Sequence, residues 1–154
     1  MHPLLVYFLT LKFLGDVPKS EVSLIEEILA QTTTQNTPFV MQIGGLGAFP
    51  NFSRPKVIWA GIQKNGEKII SLAHQLNTIL GQIGYPSEKR PFTPHITLAR
   101  IHQPINLKNF AFGEFYENSP LTVNHISLMQ SRLQPSGVVY TLLSSFEFKY
   151  KETE

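Results

Sequence analysis

Residues 92–100 read Phe92-Thr93-Pro94-His95-Ile96-Thr97-Leu98-Ala99-Arg100, in which a proline directly precedes the histidine of a short predicted β-strand. Because a strand places alternate side chains on one face, His95 and Thr97 point the same way and Ile96 points the other way. A hydroxyl on that face can donate a hydrogen bond to a phosphate oxygen while the imidazole transfers a proton. The stretch therefore predicts a phosphate-handling pair, His95 and Thr97, on a rigid strand.

Size and composition limit the classes of protein to which the chain can belong. Its 154 residues, 42% of them hydrophobic, suffice for one compact domain or for a domain of two small lobes. With 13 Lys and Arg against 11 Asp and Glu, the formal charge of +2 is mild, so anion binding requires a local cluster of cations. The apolar N-terminal residues are too few to span a bilayer and lack the features of a signal peptide, so no membrane attachment is expected.

Cysteine and histidine usage excludes several kinds of site. The chain has no cysteine, which rules out disulfides, cysteine nucleophiles and zinc–cysteine centres. The same absence fits a reducing compartment, and a cytoplasmic location is expected. The five histidines include no His-x-x-x-His pair and have few carboxylates near them, a pattern that disfavours a metal-dependent mechanism.

Hydrophobic periodicity and turn residues predict alternating strands and helices. Strands are predicted at residues 4–14, 39–46, 56–62, 92–100, 123–130 and 138–145. Helices are predicted over residues 20–31, capped by Asp16 or Ser20, and over residues 69–83, ended by Gly84. Loops or turns are predicted at residues 31–38, 47–55, 85–91 and 131–137. An irregular segment at residues 101–118 is expected to pack its aromatic side chains against the core: Phe110, Phe112, Phe115 and Tyr116.

A faint internal symmetry relates two of the predicted strands. Residues 8–12 and 95–99 share the pattern x-apolar-Thr-Leu-x, with Thr10 and Thr97 at its centre. Two related lobes, each of antiparallel strands with a covering helix, would put these two threonine strands across a central cleft.

Several short motifs spread over residues 9–140 resemble those of a known family. They are Leu11-Lys12-Phe13-Leu14-Gly15-Asp16, Gly47-x-Phe49-Pro50, Trp59-Ala60-Gly61, Arg90-x-Phe92-x-Pro94-His95 with the strand that follows, and Ser127-Leu128-Met129-Gln130-Ser131 with Gly137 and Tyr140. Together they resemble the RNA 2′,3′-cyclic phosphodiesterases, long called 2′-5′ RNA ligases, of the two-histidine phosphoesterase superfamily.

The resemblance implies a fold and a reaction. The fold would be α+β, a single two-lobed domain over residues 1–154 with antiparallel sheets and flanking helices around a central cleft. The reaction would be the metal-free opening of an RNA 2′,3′-cyclic phosphate to a 2′-phosphomonoester, or its reversal as 2′-5′ joining. The implied partner is an RNA end or a related nucleotide, and no cofactor is implied.

The chain departs from the family pattern at its first signature. Phe8 stands where the first catalytic histidine of the family would stand, although Thr10 is retained two residues later. The family has an additional strand before this signature, and only seven residues precede Phe8, so that strand is expected to be lacking. His2 shares the strand parity of Phe8 but would lie about 20 Å away, too far to replace the missing group.

The resemblance and the strand parity together assign roles to seven residues. His95 is expected to act as the general base, and Thr97 and Thr10 to donate hydrogen bonds to the phosphate. Further substrate contacts are expected from two cations and two aromatic rings: Lys12, Arg100, Phe92 and Phe49. Arg100 has the parity opposite to His95 unless the strand bulges.

Other loop residues are weaker candidates for binding RNA. Phe52 and Tyr85 border predicted loops and could stack on a base. Four cations could steer an RNA end: Arg54, Lys56, Lys89 and Arg90.

Two alternatives to an active enzyme stay open. Phe8 favours a non-catalytic module that binds RNA ends or nucleotide phosphates without turnover. An assembly protein is the other alternative, in which the exposed edge of the first lobe pairs with a second copy to form a homodimer.

Overall fold

The computed structural model describes residues 7–112 and 120–152. In these residues the α-helices are α1 (Val22–Thr34) and α2 (Gly66–Gly81), and a short 3-10 helix spans Lys19–Glu21. The strands are β1 (Phe39–Phe49), β2 (Val57–Lys64), β3 (His95–Arg100), β4 (Leu121–Val123), β5 (His125–Gln134) and β6 (Gly137–Glu147). The described residues fall into two compact units, one within 1–13, 40–74 and 88–121 and the other within 14–39, 75–87 and 122–154. The α+β class with antiparallel sheets is therefore confirmed.

A four-stranded sheet has the strand order β3-β2-β1-β4. Strand β2 pairs antiparallel with both β1 and β3 and lies wholly in the first unit. One face of the sheet supplies core residues, since Ile58, Ala60 and Ile96 are all buried. Strand β1 was predicted to stop at its glycines but continues to Phe49, because a register shift between Ile43 and Leu46 absorbs them as a bulge.

Helix α1 is one turn longer than its hydrophobic pattern predicts. The threonines at its C-terminal end were predicted to begin a loop, yet each bonds its hydroxyl to a carbonyl of the preceding turn. Thr32 donates to Ile28 at 2.8 Å, Thr33 to Ala30 at 2.8 Å and Thr34 to Gln31 at 2.7 Å. These bonds satisfy the hydroxyls inside the helix, which explains why polar residues extend it. At the other end Glu21 is the N-cap, so neither Asp16 nor Ser20 caps the helix.

Helix α2 confirms the second predicted helix, with its ends shifted. Five of the seven apolar positions that show the helical spacing are buried in a stripe, and Ile79 and Ile83 are half-buried. The five are Ile69, Leu72, Ala73, Leu76 and Leu80. Helix α2 ends at Gly81, and a turn follows in which the Tyr85 N–H donates to the Leu80 carbonyl at 3.0 Å. Gly84, the predicted helix terminator, has a positive φ of 102° within this turn, a conformation that favours glycine.

Strands β5 and β6 form a two-stranded antiparallel sheet in the second unit, and α1 packs against both strands. Gln134 pairs with Gly137, so the connecting turn contains only Pro135 and Ser136. The prediction of a turn over residues 131–137 was therefore wrong for residues 131–134, because these pair with residues 137–140 and extend the hairpin.

Two further predictions were wrong in their described parts. Residues 7–14 form no regular strand, since Leu9 makes an isolated bridge and Tyr7 and Phe13 are largely exposed. A lone bridge offers too few ladder partners to sustain a strand. The aromatic segment also does not pack fully against the core, because Phe110 is 62% exposed. His2, Phe115 and Tyr116 lie outside the described residues.

The described helices include none that is both long and apolar enough to cross a membrane.

Candidate functional site

The register between β2 and β3 determines which side chains share a face with His95. Trp59 pairs with Thr97, and Ala60 pairs with Ile96. Since directly paired residues of antiparallel strands point to the same side, Trp59 and Thr97 share one face with His95. Ala60 and Ile96 lie on the opposite face, where they are 0% and 7% exposed. The side of the sheet that carries His95, Thr97 and Trp59 is called the His95 face below.

A bulge in β3 returns Arg100 to the His95 face. Trp59 pairs with Thr97, and Val57, two residues before Trp59, pairs with Arg100, three residues after Thr97. The extra residue is Leu98, which has no partner in the register. Arg100 therefore lies on the same side of the sheet as Val57 and Trp59. Strand parity alone predicts the opposite side, and the bulge reverses that prediction.

The segment around Thr10 lies beside β3. Leu9 and Ile96 form an isolated antiparallel bridge. An antiparallel register continued from this bridge would bring Thr10 opposite His95. The two threonine-bearing segments are thus adjacent.

The same bridge fixes the position of Phe8. The same register would bring Phe8 opposite Thr97. Phe8 is half-buried.

The imidazole of His95 is held by the backbone of its own strand entry. Its Nδ1 lies 2.7 Å from the carbonyl oxygen of Thr93. Because a carbonyl oxygen can only accept, Nδ1 carries the proton and Nε2 of the neutral ring is left as the acceptor. This hydrogen bond fixes the tautomer in which Nε2 can act as a general base.

Two aromatic rings pack against the imidazole. The Phe49 ring meets it edge-on, with centroids 5.0 Å apart and an interplanar angle of 86°. The Trp59 ring lies 6.0 Å from His95 and 5.2 Å from Phe49. Such contacts limit the rotation of the imidazole and give it an apolar wall. The indole N–H of Trp59 is buried and has no acceptor among the described residues.

Gly47 makes room for the Trp59 indole. Gly47 pairs directly with Trp59, and a Cβ atom at this position would lie 2.0 Å from Cζ2 of the indole. No side chain larger than hydrogen fits there unless the indole moves. The Gly-x-Phe motif of β1 thus places a gap and a ring next to one another on the His95 face.

Lys12 is a partly desolvated cation of the first unit. Burial lowers the pKa of Lys12, and the negative charge of Glu88 partly offsets this effect. Burial disfavours the charged ammonium of Lys12 because water solvates it less than an exposed lysine. A phosphate group placed beside Lys12 would compensate by supplying a negative charge.

The remaining candidates are less closely tied to His95. Phe92 is half-buried in the segment before β3 and makes no ring contact with other described residues. Lys89 and Arg90 are exposed. Tyr85 is buried in the second unit and its hydroxyl donates to the Glu21 carboxylate, so it is not available to stack on a base.

A cavity of about 540 Å³ lies in the second unit. It is lined by none of the predicted site residues but by seven others: Val17, Lys19, Val22, Ser23, Gln130, Arg132 and Leu143.

Neither Thr93 nor Trp59 was predicted from the sequence to be a catalytic or binding residue. The Thr93 contact uses a backbone carbonyl, which side-chain patterns do not report. Trp59 was noted as part of a family motif, but its proximity to His95 depends on the cross-strand register. That register could be predicted only by pairing Trp59-Ala60-Gly61 with His95-Ile96-Thr97.

A family model described as the 2′-5′ RNA ligase superfamily matches residues 2–135. The chain belongs to this superfamily. Among curated relatives, the RNA 2′,3′-cyclic phosphodiesterase of Aquifex aeolicus is 32% identical over 145 residues, which are 90% of this chain and 76% of the relative. A protein of the same name from Methanothermobacter thermautotrophicus is 34% identical over 141 residues, covering 89% of this chain and 76% of the relative.

Solved structures share the fold of this chain. A crystal structure from Thermus thermophilus has a TM-score of 0.81 and 29% identity, covering 94% of this chain and 79% of that one. The structure of E. coli LigT complexed with 3′-AMP has a TM-score of 0.75 and 22% identity, covering 92% and 76%. The relationship to a family of enzymes thus rests on the family match and the curated relatives, and the LigT structure supports the fold.

Proposed function

We propose that the chain is an RNA 2′,3′-cyclic phosphodiesterase that opens terminal cyclic phosphates without a metal ion. Water attacks the phosphorus, the bond from phosphorus to the 3′ oxygen breaks, and the product carries a 2′-phosphomonoester and a 3′-hydroxyl. The same displacement with a ribose 5′-hydroxyl in place of water, again with loss of the 3′ oxygen, would give the 2′-5′ joining that the family name describes.

His95 is the proposed proton-transfer residue. Its Nε2 accepts a proton from the attacking water, because Nδ1 is committed to the Thr93 carbonyl at 2.7 Å. Phe8 cannot supply a proton to the departing 3′ oxygen, so solvent supplies it. This substitution predicts slower turnover than two imidazoles would give.

Thr97 and Thr10 are the proposed donors to the phosphate oxygens. Thr97 is on the His95 face through its pairing with Trp59, and the bridge of Leu9 to Ile96 brings the segment of Thr10 beside β3. Lys12 and Arg100 are proposed to add positive charge, and Phe49 and Phe92 to contact the sugar or base of the terminal nucleotide.

The observation that carries this proposal is the imidazole of His95, oriented by the Thr93 carbonyl, with the Thr97 hydroxyl on its side of the sheet. The match to relatives named RNA 2′,3′-cyclic phosphodiesterase supports the choice of substrate.

The test is the opening of a short RNA with a 2′,3′-cyclic phosphate in the presence of a chelator. We expect formation of a 2′-phosphate, and we expect His95→Ala to lower the rate by about 10²- to 10⁴-fold because a general base is lost. His125→Ala is the matched control, since His125 is also a strand histidine whose Nδ1 bonds a nearby oxygen, that of Asn124 at 2.8 Å. Equal rates for the wild type and His95→Ala would contradict the proposal.

A second candidate function is a module that binds phosphorylated RNA ends without turnover. Phe8 favours it, because a phenyl ring cannot transfer a proton and Phe8 stands where the sequence resemblance implies an imidazole. This candidate predicts that cyclic-phosphate RNA binds but is not opened. Detectable opening that depends on His95 would eliminate it.

A further inference from the structure

Three phenyl rings in the first unit form an exposed cluster. Phe52 packs against Phe112 with centroids 5.4 Å apart, and Phe112 packs against Phe110 at 4.8 Å. Phe110 is 62% exposed and Phe112 is 36% exposed. Exposed aromatic rings in contact with one another are uncommon on a surface without a binding role. The rings of Phe52, Phe110 and Phe112 are called the phenyl platform below.

Backbone hydrogen bonds hold the platform in place. The Leu107 N–H donates to the Phe52 carbonyl at 2.8 Å, and the Phe110 N–H donates to the Leu107 carbonyl at 3.0 Å. The loop that carries Phe52 is itself closed by a 2.8 Å bond from the Lys56 N–H to the Phe49 carbonyl. The platform therefore joins two segments whose relative position is fixed before any ligand binds.

A short loop connects the platform to the proposed reaction centre. Phe49, whose ring is 5.0 Å from His95, begins the loop that reaches Phe52 three residues later. Three residues span at most about 11 Å between Cα atoms, so Phe52 is tied to within this distance of Phe49. Nucleotides that precede a terminal phosphate held at His95 would extend over a distance of this order.

The charge of the two segments that carry the platform suits a nucleic acid. Residues 50–56 and 101–112 contain no carboxylate, and Glu114 and Glu117 follow the second segment in the sequence. They contain three exposed cations: Arg54, Lys56 and Lys108. Stacking rings flanked by cations are the arrangement by which proteins hold single-stranded nucleic acid without reading its sequence.

We propose that the phenyl platform stacks bases of single-stranded RNA that precede the reacting end. This inference rests on the proposed cyclic phosphodiesterase function and adds the substrate class, namely an oligonucleotide in preference to a mononucleotide. Because stacking uses the face that every base has, the platform selects for length and single strands with little selection for sequence.

Turnover of a length series tests the inference. The substrates are a 2′,3′-cyclic mononucleotide and cyclic-phosphate RNAs of two, four and six nucleotides. We expect the wild-type KM to fall with length, and Phe110→Ala with Phe112→Ala to raise KM for the longer RNAs by about 10-fold while leaving the mononucleotide unchanged. Phe110→Trp should retain the length effect, whereas Phe110→Leu, which is apolar but has no ring, should lose it.

A matched control and a second readout separate this inference from the proposed function. Tyr150→Ala removes another aromatic side chain, 75% exposed and in the second unit, and should leave the length series unchanged. If no substrate turns over, the proposed activity fails, and fluorescence anisotropy of a 3′-phosphorylated hexanucleotide still measures the loss of affinity in the Phe110→Ala, Phe112→Ala variant. An unchanged oligonucleotide KM and affinity in that variant, or an equal loss for the mononucleotide, would overturn the inference.

Discussion

Phe8 stands where the sequence motifs predict the first histidine of the family pattern, and its position makes this prediction testable. The bridge between Leu9 and Ile96 brings the segment of Phe8 beside β3. We predict that Phe8→His raises kcat for cyclic-phosphate opening by about 10²-fold or more, because a second imidazole can protonate the departing oxygen. The pH dependence of kcat should also gain a falling limb at high pH, which a steady-state pH profile would detect.

Phe8→Asn is the control for this substitution. It removes the same phenyl ring and introduces a polar side chain that does not titrate. Equal kcat values for Phe8→His and Phe8→Asn would show that the gain comes from space or polarity, and the expectation of a second proton-transfer group at this position would then be wrong.

At the scale of elements, the packing between β1 and β2 depends on the absence of a side chain at Gly47. A Cβ there would lie 2.0 Å from the Trp59 indole, which itself packs against His95. We predict that Gly47→Ala lowers the free energy of unfolding by about 1–3 kcal/mol through overpacking. Urea denaturation measures this change, and the same variant should also lose turnover because the wall beside the imidazole shifts.

Two further variants identify the cause of the Gly47→Ala effect. Gly81→Ala is the matched control, since a Cβ at Gly81 meets nothing within 4 Å and the residue is helical, so the change should be neutral or slightly stabilising. Adding Trp59→Phe to Gly47→Ala should recover stability because the smaller ring vacates the overlap. No recovery would mean that the strand backbone, and not the indole, is the obstacle.

A hydrogen bond between Tyr85, which follows α2, and Glu21, at the start of α1, predicts that the free energy of unfolding depends on pH. The hydrogen bond from the Tyr85 hydroxyl to Glu21, followed by burial and the Glu21 charge, raises the pKa of Tyr85 above its usual value. A raised folded-state pKa contributes stability that is fully present below the unfolded pKa of about 10 and is lost as pH rises through the folded value. Urea denaturation between pH 8 and pH 12 should therefore show a decline that begins near pH 10.

Tyr85→Phe should flatten this alkaline decline and lower stability at neutral pH, because the Glu21 carboxylate loses its donor. Tyr150→Phe is the control, since Tyr150 is 75% exposed. An alkaline decline of equal size in Tyr85→Phe would assign it to other groups, such as the lysines.

At the scale of the whole molecule, charge sets how strongly salt weakens RNA binding. The formal charge is only +2, so attraction depends on the local cations of the site and platform, Lys12, Arg100, Arg54, Lys56 and Lys108. For single-stranded RNA, each cation that contacts a phosphate adds about −0.7 to the slope of log affinity against log salt concentration. Five such contacts therefore predict a slope no steeper than about −3.5. Anisotropy titrations of the hexanucleotide at several salt concentrations measure this slope.

Lys56→Ala should make the slope shallower by about 0.7, and Lys151→Ala, which removes an exposed lysine of the second unit, should not change it. A much steeper slope, or an equal effect of Lys151→Ala, would indicate diffuse attraction by the whole surface.

The homodimer predicted from the sequence stays a prediction, which light scattering during gel filtration checks.

Sequence alone was sufficient for the features that depend on local patterns. Helical spacing predicted α2 through its buried stripe, and strand alternation put His95 and Thr97 on one face opposite Ile96. These predictions succeed because side-chain direction repeats with a fixed period in each element. The motifs from Leu11 to Tyr140 likewise sufficed for the superfamily, which the family match confirms.

Tertiary structure decided what depends on pairing between distant segments. Arg100 returns to the His95 face only because a bulge at Leu98 shifts the register against β2, and the segment of Thr10 lies beside β3 because Leu9 bridges Ile96. Trp59 reaches the imidazole across a strand pair, and Leu107 joins the segment of Phe110 to the loop of Phe52. Each of these outcomes depends on a hydrogen-bond partner far away in the sequence, whereas strand parity and helical period are properties of neighbouring residues.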